Sequence, residues 1–365
     1  MVEPEGGPLA GIRVVEFEGI GPAPYCGMLL ADMGAEVVRI ARPHADRGPL
    51  IQHAGDEPIN RGRTVVTLDL KDGGGVASAL RLLDQADALV EGLRPGVMER
   101  LGLGPDEVLG RNARIVYARI TGWGQEGPWA KTAGHDLNYI ALSGALAAMG
   151  KPGEPPLPPL NLVGDYGGGG LWAAFGIVSA LMHAQRTGQG QVVDAAMLDG
   201  AASQMTMIYG LMHQGRWGLE RGTNFLDGSA PFYRCYTCAD GRYLAVGCIE
   251  PQFFRAFMEG IGLDAAEWDQ ADRSRWPALA EAISKVLATR SRDAWAELFD
   301  GTDACVSPVL DMAEAPGHPH NRARGSFTGE DTHPAPGPRM SRCSMGAGTP
   351  RSSSPEEVLA RWGGP

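Results

Sequence analysis

The chain opens with short aliphatic and β-branched runs separated by stretches whose apolar residues recur at helical spacing. Ile12 to Phe17 reads as a strand, about Ala23 to Met33 as a helix, and Glu36 to Ile40 as a second strand, with a Gly/Pro turn after the first. Continuous apolar runs suit strands covered on both faces, and strand, helix, strand is the unit that joins parallel strands. The pattern recurs with a strand from Arg63 to Asp69, a helix near Gly75 to Gln85, and strands at Ala88 to Glu91 and Ile115 to Ile120 around a short helical region. This alternation predicts an α/β fold: a mainly parallel sheet with helices on both faces.

Past Trp123 the period lengthens. HDLNYIALSGALAAMG and GGGGLWAAFGIVSALMHAQRTG each predict an apolar helix, joined by a Pro-rich connector from Lys151 to Pro159, and QVVDAAMLDGAASQMTMIYGLMH predicts a strand leading into a buried helix. Phe232 to Thr237 and Arg242 to Gly247 flank Ala239-Asp240-Gly241 as a hairpin that begins a smaller α+β domain. Helices are expected at about Glu250 to Met258, Trp276 to Leu287 and Arg292 to Phe299. From Ser307 the chain turns every few residues and should run extended over the surface to a last helix at Glu356 to Arg361. The expected divisions are 1–200 for a large domain, 201–230 for a linker, 231–311 for the small domain and 312–365 for a return segment.

Composition removes several classes. Of 365 residues 44% are hydrophobic, which excludes wholesale disorder, and no apolar run approaches the roughly 20 residues of a membrane span. The 52 Gly and 27 Pro follow no triplet period, so they punctuate turns rather than build collagen. With 32 basic against 43 acidic residues the formal charge is -11, the basic side chains are almost all scattered arginines, and a nucleic-acid groove has weak support. Six cysteines without a leading charged-then-apolar segment point to a reducing compartment, with the cytoplasm expected.

Metal ligation finds little footing. Cys235-x-x-Cys238 and Cys248 lack a fourth ligand, and residues three apart on a strand face opposite sides. His318-x-His320 stands in a turn-rich stretch, and His44, His53, His183 and His213 belong to no comparable grouping.

Two groups of residues carry chemistry. Gly19-Ile20-Gly21-Pro22-Ala23-Pro24 follows the first strand as a dinucleotide fingerprint would, but Pro24 replaces the third glycine. Arg39 and Arg42 also stand where an acidic ribose ligand is wanted, which disfavours NAD. The turn is either structural or the frame for another nucleotide-bearing ligand, whose phosphates Arg39, Arg42 and Arg94 could pair bidentately. The second group is His135 with Asp136 at a helix start, and Asp165 just before Gly167 to Gly170. Each alone reads equally as a helix-capping residue. Together, an imidazole and a carboxylate suit proton transfer if the fold brings them to opposite sides of one carbon.

GIRVVEFEGIGPAPYCGMLLADMGAEVVRI, TGWGQEGPWAKTAGHDLNYIALSGAL, PPLNLVGDYGGGGLWAAFGI and GSAPFYRCYTCADGRYLAVGCIEPQFF together resemble the family III coenzyme A transferases, the CaiB/BaiF-like family. Within that family they are similar to the branch that interconverts (2R)- and (2S)-2-methylacyl-CoA thioesters. The resemblance implies a large Rossmann-like domain, a small domain and an interlocked homodimer. It implies His135 and Asp165 as the two acid/bases, Glu250 as the group that orients His135, and the Asp136 N–H as donor to an enolate oxygen. It further implies that Arg42, Arg39 and Arg94 bind CoA, which arrives as part of a branched acyl-CoA substrate with no metal or redox cofactor. The alternative within the family is a CoA transferase with Asp165 as nucleophile. A binding module without catalysis is the remaining class.

Overall fold

The computed structural model describes residues 6–43, 58–329, 332–346 and 348–363; His44 and His53 fall outside them. The chain divides into two compact units: Met1–Leu146, Pro159–Thr206 and His333–Pro365 form the first, Ala147–Pro158 and Met207–Thr332 the second. No helix among the described residues is long and apolar enough to cross a membrane.

The first unit is built on strands β1 (Arg13–Phe17), β2 (Glu36–Ala41), β3 (Arg63–Thr67), β4 (Ala88–Glu91), β5 (Val116–Thr121) and β6 (Gln191–Ala196). With the short strand Arg351–Ser352 on its edge, the sheet runs in the order Arg351–Ser352, β3, β2, β1, β4, β5, β6. Every pairing is parallel; Val15 of β1 stands opposite Val38 of β2 on one side and Leu89 of β4 on the other. Alternate residues of β1 feed two cores. Val15 and Phe17 pack with Leu82 and Leu83 of α2 (Gly73–Leu83) and with Val358, Leu359 and Trp362 of the last helix, Pro355–Trp362. Val14 joins Ala23 and Leu30 of α1 (Pro22–Asp32) with Ile177 and Leu181 further along the chain. The order 3-2-1-4-5-6 reverses direction between β1 and β4, and in open parallel sheets the crevice at the carboxyl ends beside that reversal is where ligands bind.

Between β4 and β6 come α3 (Val97–Arg100), α4 (Pro105–Arg111), α5 (Asp136–Leu142) and α6 (Trp172–Thr187). The helix expected over HDLNYIALSGALAAMG is shorter than its apolar pattern: α5 stops at Leu142, because Gly144 takes a positive φ of 85° that ends the regular backbone. A single 3-10 turn, Leu146–Ala148, follows.

Gly167 to Gly170 begin the string read above as one apolar helix. They lie inside a π-helix, Leu162–Leu171, that runs straight into α6. The reason is proximity. A Cβ on Gly168 would stand 2.7 Å from the Ala201 nitrogen, one on Gly169 2.8 Å from Pro22 Cβ, and one on Gly170 2.8 Å from the Pro22 carbonyl oxygen. The glycines thus let this helix lie against α1 and α7 (Met197–Gln204). The helix expected over the Met-rich segment is also two pieces, α7 and α8 (Thr206–His213), and α8 has no buried residue, contrary to the buried helix its apolar content suggests.

In the second unit β7 (Tyr233–Thr237), β8 (Tyr243–Gly247) and β9 (Val306–Pro308) form an antiparallel sheet in chain order. Helices α9 (Pro251–Gly260), α10 (Trp276–Leu287) and α11 (Arg292–Phe299) supply Phe257, Ile283, Leu287, Trp295 and Phe299 to its core against Phe232, Leu244 and Val246. The Ala239-Asp240-Gly241 turn joins β7 and β8 as the sequence predicts, with Gly241 at φ 76°.

Candidate active site

At the carboxyl ends of β1, β4 and β5 the first unit holds a cavity of about 290 Å³. Its walls are the turn Ile20-Gly21-Pro22, the loop Gly92 to Pro95, and Ile120 to Trp123, closed by Gly134, His135, Tyr139, Asp165 and Met197. The cavity therefore sits beside the strand-order reversal, where parallel strands deliver several loops to one point.

His135 is the N-cap of α5 and is exposed; its backbone N–H donates to Asn138 Oδ1 at 3.0 Å, which fixes the helix entrance. Tyr139, one turn on, donates its hydroxyl to the Gly134 carbonyl and so ties the residue before His135 to the helix. Its ring needs glycine on both sides: a Cβ on Gly122 would lie 2.0 Å from the ring and one on Gly134 2.8 Å. Trp123 meets the same ring edge-on at 4.8 Å. Burial and the nearby Asp165 charge push the Tyr139 hydroxyl up to about 12, against the pull of Arg94.

Asp165 lies in the first turn of the π-helix and is half-buried. Its backbone N–H donates to Asp136 Oδ2 at 2.7 Å, and Asn161 Nδ2 donates to its Oδ2 at 3.1 Å. Burial raises the Asp165 pKa above the usual carboxylate range; the Asn161 hydrogen bond opposes this, the Asp136 charge adds to it, and His135 opposes it. Asp136 is buried, and its Oδ1 has no hydrogen-bond partner among the described residues. Gly21 completes the setting from the turn after β1: at φ 68°, a Cβ there would be 2.8 Å from Asp165 Oδ2.

The structure thus gathers His135, Asp165 and Arg94 around one hollow, with Asp136 buried behind Asp165. Arg94 is exposed on the loop after β4. Arg42, also exposed, stands 3.6 Å from Glu18, while Arg39 is buried in the sheet, bonded to Asn60 and 3.8 Å from Glu16. Glu250 belongs to the second unit, where it is exposed at the N-cap of α9 and its charge helps push the Cys305 thiol up. Among the described residues no group of three or more His, Cys, Asp or Glu is placed to hold a metal ion. Asn161 and Tyr139 escaped the sequence reading. Asn161 closes a Pro-rich connector, and only knowledge that a helix begins at Leu162 shows it lies one turn before Asp165.

A parallel sheet with an imidazole and a carboxyl group beside its reversal point, followed by a small antiparallel unit, defines a two-unit α/β protein. The model of CoA-transferase family III matches residues 9–361, and the chain belongs to that family. It is 46% identical over 338 residues to alpha-methylacyl-CoA racemase of Mus musculus, covering 92% of this chain and 87% of that one. It is 31% identical over 336 residues to acetyl-CoA:oxalate CoA-transferase of Acetobacter aceti, covering 87% and 85%. The crystal structure of a CAIB/BAIF family protein from Brucella suis has the same fold, with a TM-score of 0.82 at 24% identity over 98% of this chain and 100% of that one.

Proposed function

We propose that this enzyme interconverts the (2R) and (2S) epimers of 2-methylacyl-CoA thioesters by moving the α-proton between two bases. The observation that carries the reading is that His135 and Asp165 reach one cavity from different elements, an imidazole and a carboxyl group whose pKa burial has raised. A thioester lets the charge left by α-proton loss spread onto its carbonyl oxygen, and the planar enolate has no stereochemical memory. One group removes the proton; the other returns one to the opposite face. A carboxyl group with a raised pKa serves in both directions, since general acid–base catalysis works best when the pKa lies near the working pH. The Asp136 N–H, at the first position of α5, is the donor assigned to the enolate oxygen. Glu250 is assigned to orient His135.

For the CoA portion, Arg94 at the cavity wall is assigned to a phosphate, with Arg42 at the end of β2 and Arg39 behind it as further cations of the same edge. The relatives lend weight to racemisation, since the racemase is the more similar of the two compared. The second reading is CoA transfer with Asp165 as nucleophile, and the oxalate transferase at 31% identity favours keeping it in the test. Incubating a single 2-methylacyl-CoA epimer in heavy water should yield both epimers carrying α-deuterium. No exchange, with CoA appearing on an added carboxylate acceptor and the 2-methyl acid released, would replace racemisation by transfer.

A homodimer in the cytoplasm completes the proposal. Trp172, Phe175 and Met182 are 41%, 68% and 57% exposed along α6, an apolar face that a second copy would cover. Size-exclusion chromatography with light scattering should report twice the 38.6 kDa chain mass; a fully active monomer would remove this element.

A further inference from the structure

The second unit contains a larger hollow that the proposed chemistry does not use. About 780 Å³ in volume, it is lined by three cations, Lys151, Arg234 and Arg273, above an apolar floor of Trp276, Pro277 and Ala280. The loop around it is held from within. Arg221 donates to the carbonyls of Ala147 (2.8 Å), Lys151 (3.3 Å) and Glu154 (2.5 Å), which fastens the connector that carries Lys151. Two acidic residues also line the cavity, but they are not equivalent. Asp227 turns its carboxylate into its own loop, accepting N–H bonds from Gly222 (2.9 Å), Thr223 (3.1 Å), Asn224 (3.0 Å) and Ser229 (3.2 Å). Glu154 is the one of the two whose carboxylate has no such partners among the described residues.

Arg234 is the least satisfied member. Its guanidinium lies over the Tyr236 ring at 5.3 Å, and its Nε is buried with no hydrogen-bond partner among the described residues. Arg273 likewise rests on the Trp276 ring at 5.4 Å, with one N–H shared to the Arg216 carbonyl at 3.3 Å. A stacked guanidinium is held flat, so Arg234 and Arg273 bring two planar forks of terminal N–H groups to the wall of the hollow. Oxygen acceptors carrying negative charge in a forked arrangement match them, and phosphate supplies these.

We infer that this hollow is a second anion site, selective for a phosphate or diphosphate group on a small organic molecule whose body rests on Trp276 and Pro277. It is independent of the reaction proposed for His135 and Asp165. The test is calorimetric titration of the whole protein with inorganic pyrophosphate. Saturable binding should weaken at least about tenfold in Arg234→Gln, weaken less in Arg234→Lys, and be unchanged in Arg94→Gln. Lys151→Gln, at an exposed position, provides a second variant should Arg234→Gln lose its far-ultraviolet circular dichroism. Excess CoA then separates two sources. Displacement of pyrophosphate would make the diphosphate of CoA itself the ligand, and no displacement would point to a different phosphorylated molecule. Absence of saturable binding, binding unchanged in an Arg234→Gln, Arg273→Gln double variant, or binding abolished by Arg94→Gln overturns the inference.

Discussion

Asp165→Asn should lose epimer interconversion by about 10²- to 10⁴-fold, the usual worth of a positioned acid or base, and yet melt at a higher temperature than the parent at neutral pH. The two effects have one origin. Burial and the Asp136 charge both favour the protonated form of Asp165, so its pKa in the folded chain lies above that in the unfolded chain. A carboxyl shifted that way favours folding while it is protonated, and the contribution is lost as pH rises through the folded pKa. Above its folded pKa the parent therefore carries an ionised group that folding disfavours, and the isosteric amide removes it. The stability advantage of Asp165→Asn should shrink as pH falls toward ordinary carboxylate values, where Asp165 takes up its proton in both states. Asn161→Ala supplies the opposing arm. Deleting the 3.1 Å bond to Oδ2 removes a force that lowers the Asp165 pKa, so the acid limb of the pH–rate profile should move upward. Melting curves across pH with matched exchange rates check both; normal turnover in Asp165→Asn would discard the carboxylate from the mechanism.

A large effect on stability is expected at Gly200. A Cβ there would lie 2.0 Å from the Gly168 carbonyl oxygen and 2.6 Å from the Gly168 carbon atoms, where α7 meets the π-helix. Those neighbours are main chain, which cannot rotate aside as a side-chain tip can. Gly200→Ala should cost at least about 3 kcal/mol and lower the melting temperature on the order of 10 °C, or prevent soluble expression. Gly210→Ala is the control. It lies in α8 with nothing within 4 Å of the added methyl, so the helix-propensity gain of about 0.5–1 kcal/mol should appear unopposed. Equal melting temperatures for the two variants would contradict the close packing.

These glycines also show where sequence reading stopped. The parallel sheet was legible because β1, β2 and β5 are apolar runs that a doubly covered strand requires, and the hairpin because Ala239-Asp240-Gly241 interrupts two alternating stretches. The close packing that Gly167 to Gly170 permit was not, since only neighbours distant in sequence, Pro22, Met197 and Ala201, require glycine there. The same limit separates the arginines. Arg39 and Arg94 look alike in the sequence, yet one is buried among Glu16, Glu18 and Asn60 while the other borders the cavity. His135 and Asp165 were individually legible as residues at helix starts. Their shared cavity depends on strand order, which local pattern does not contain, and their reading as a pair came from resemblance to a family.

The sheet of the first unit closes late in the chain. Arg351–Ser352 forms its edge on β3, and Val358, Leu359 and Trp362 fill the core against α2, although the whole second unit intervenes in sequence. On the ribosome, the β3 edge and one hydrophobic face must therefore stay uncovered while about 280 further residues are synthesised, an exposure lasting tens of seconds at ordinary elongation rates. The second unit has its buried core residues between Ala230 and Ala304 and can finish first. Synthesis would then invert the chain order of folding, with the first unit completed last and holdase chaperones drawn to the waiting edge of β3.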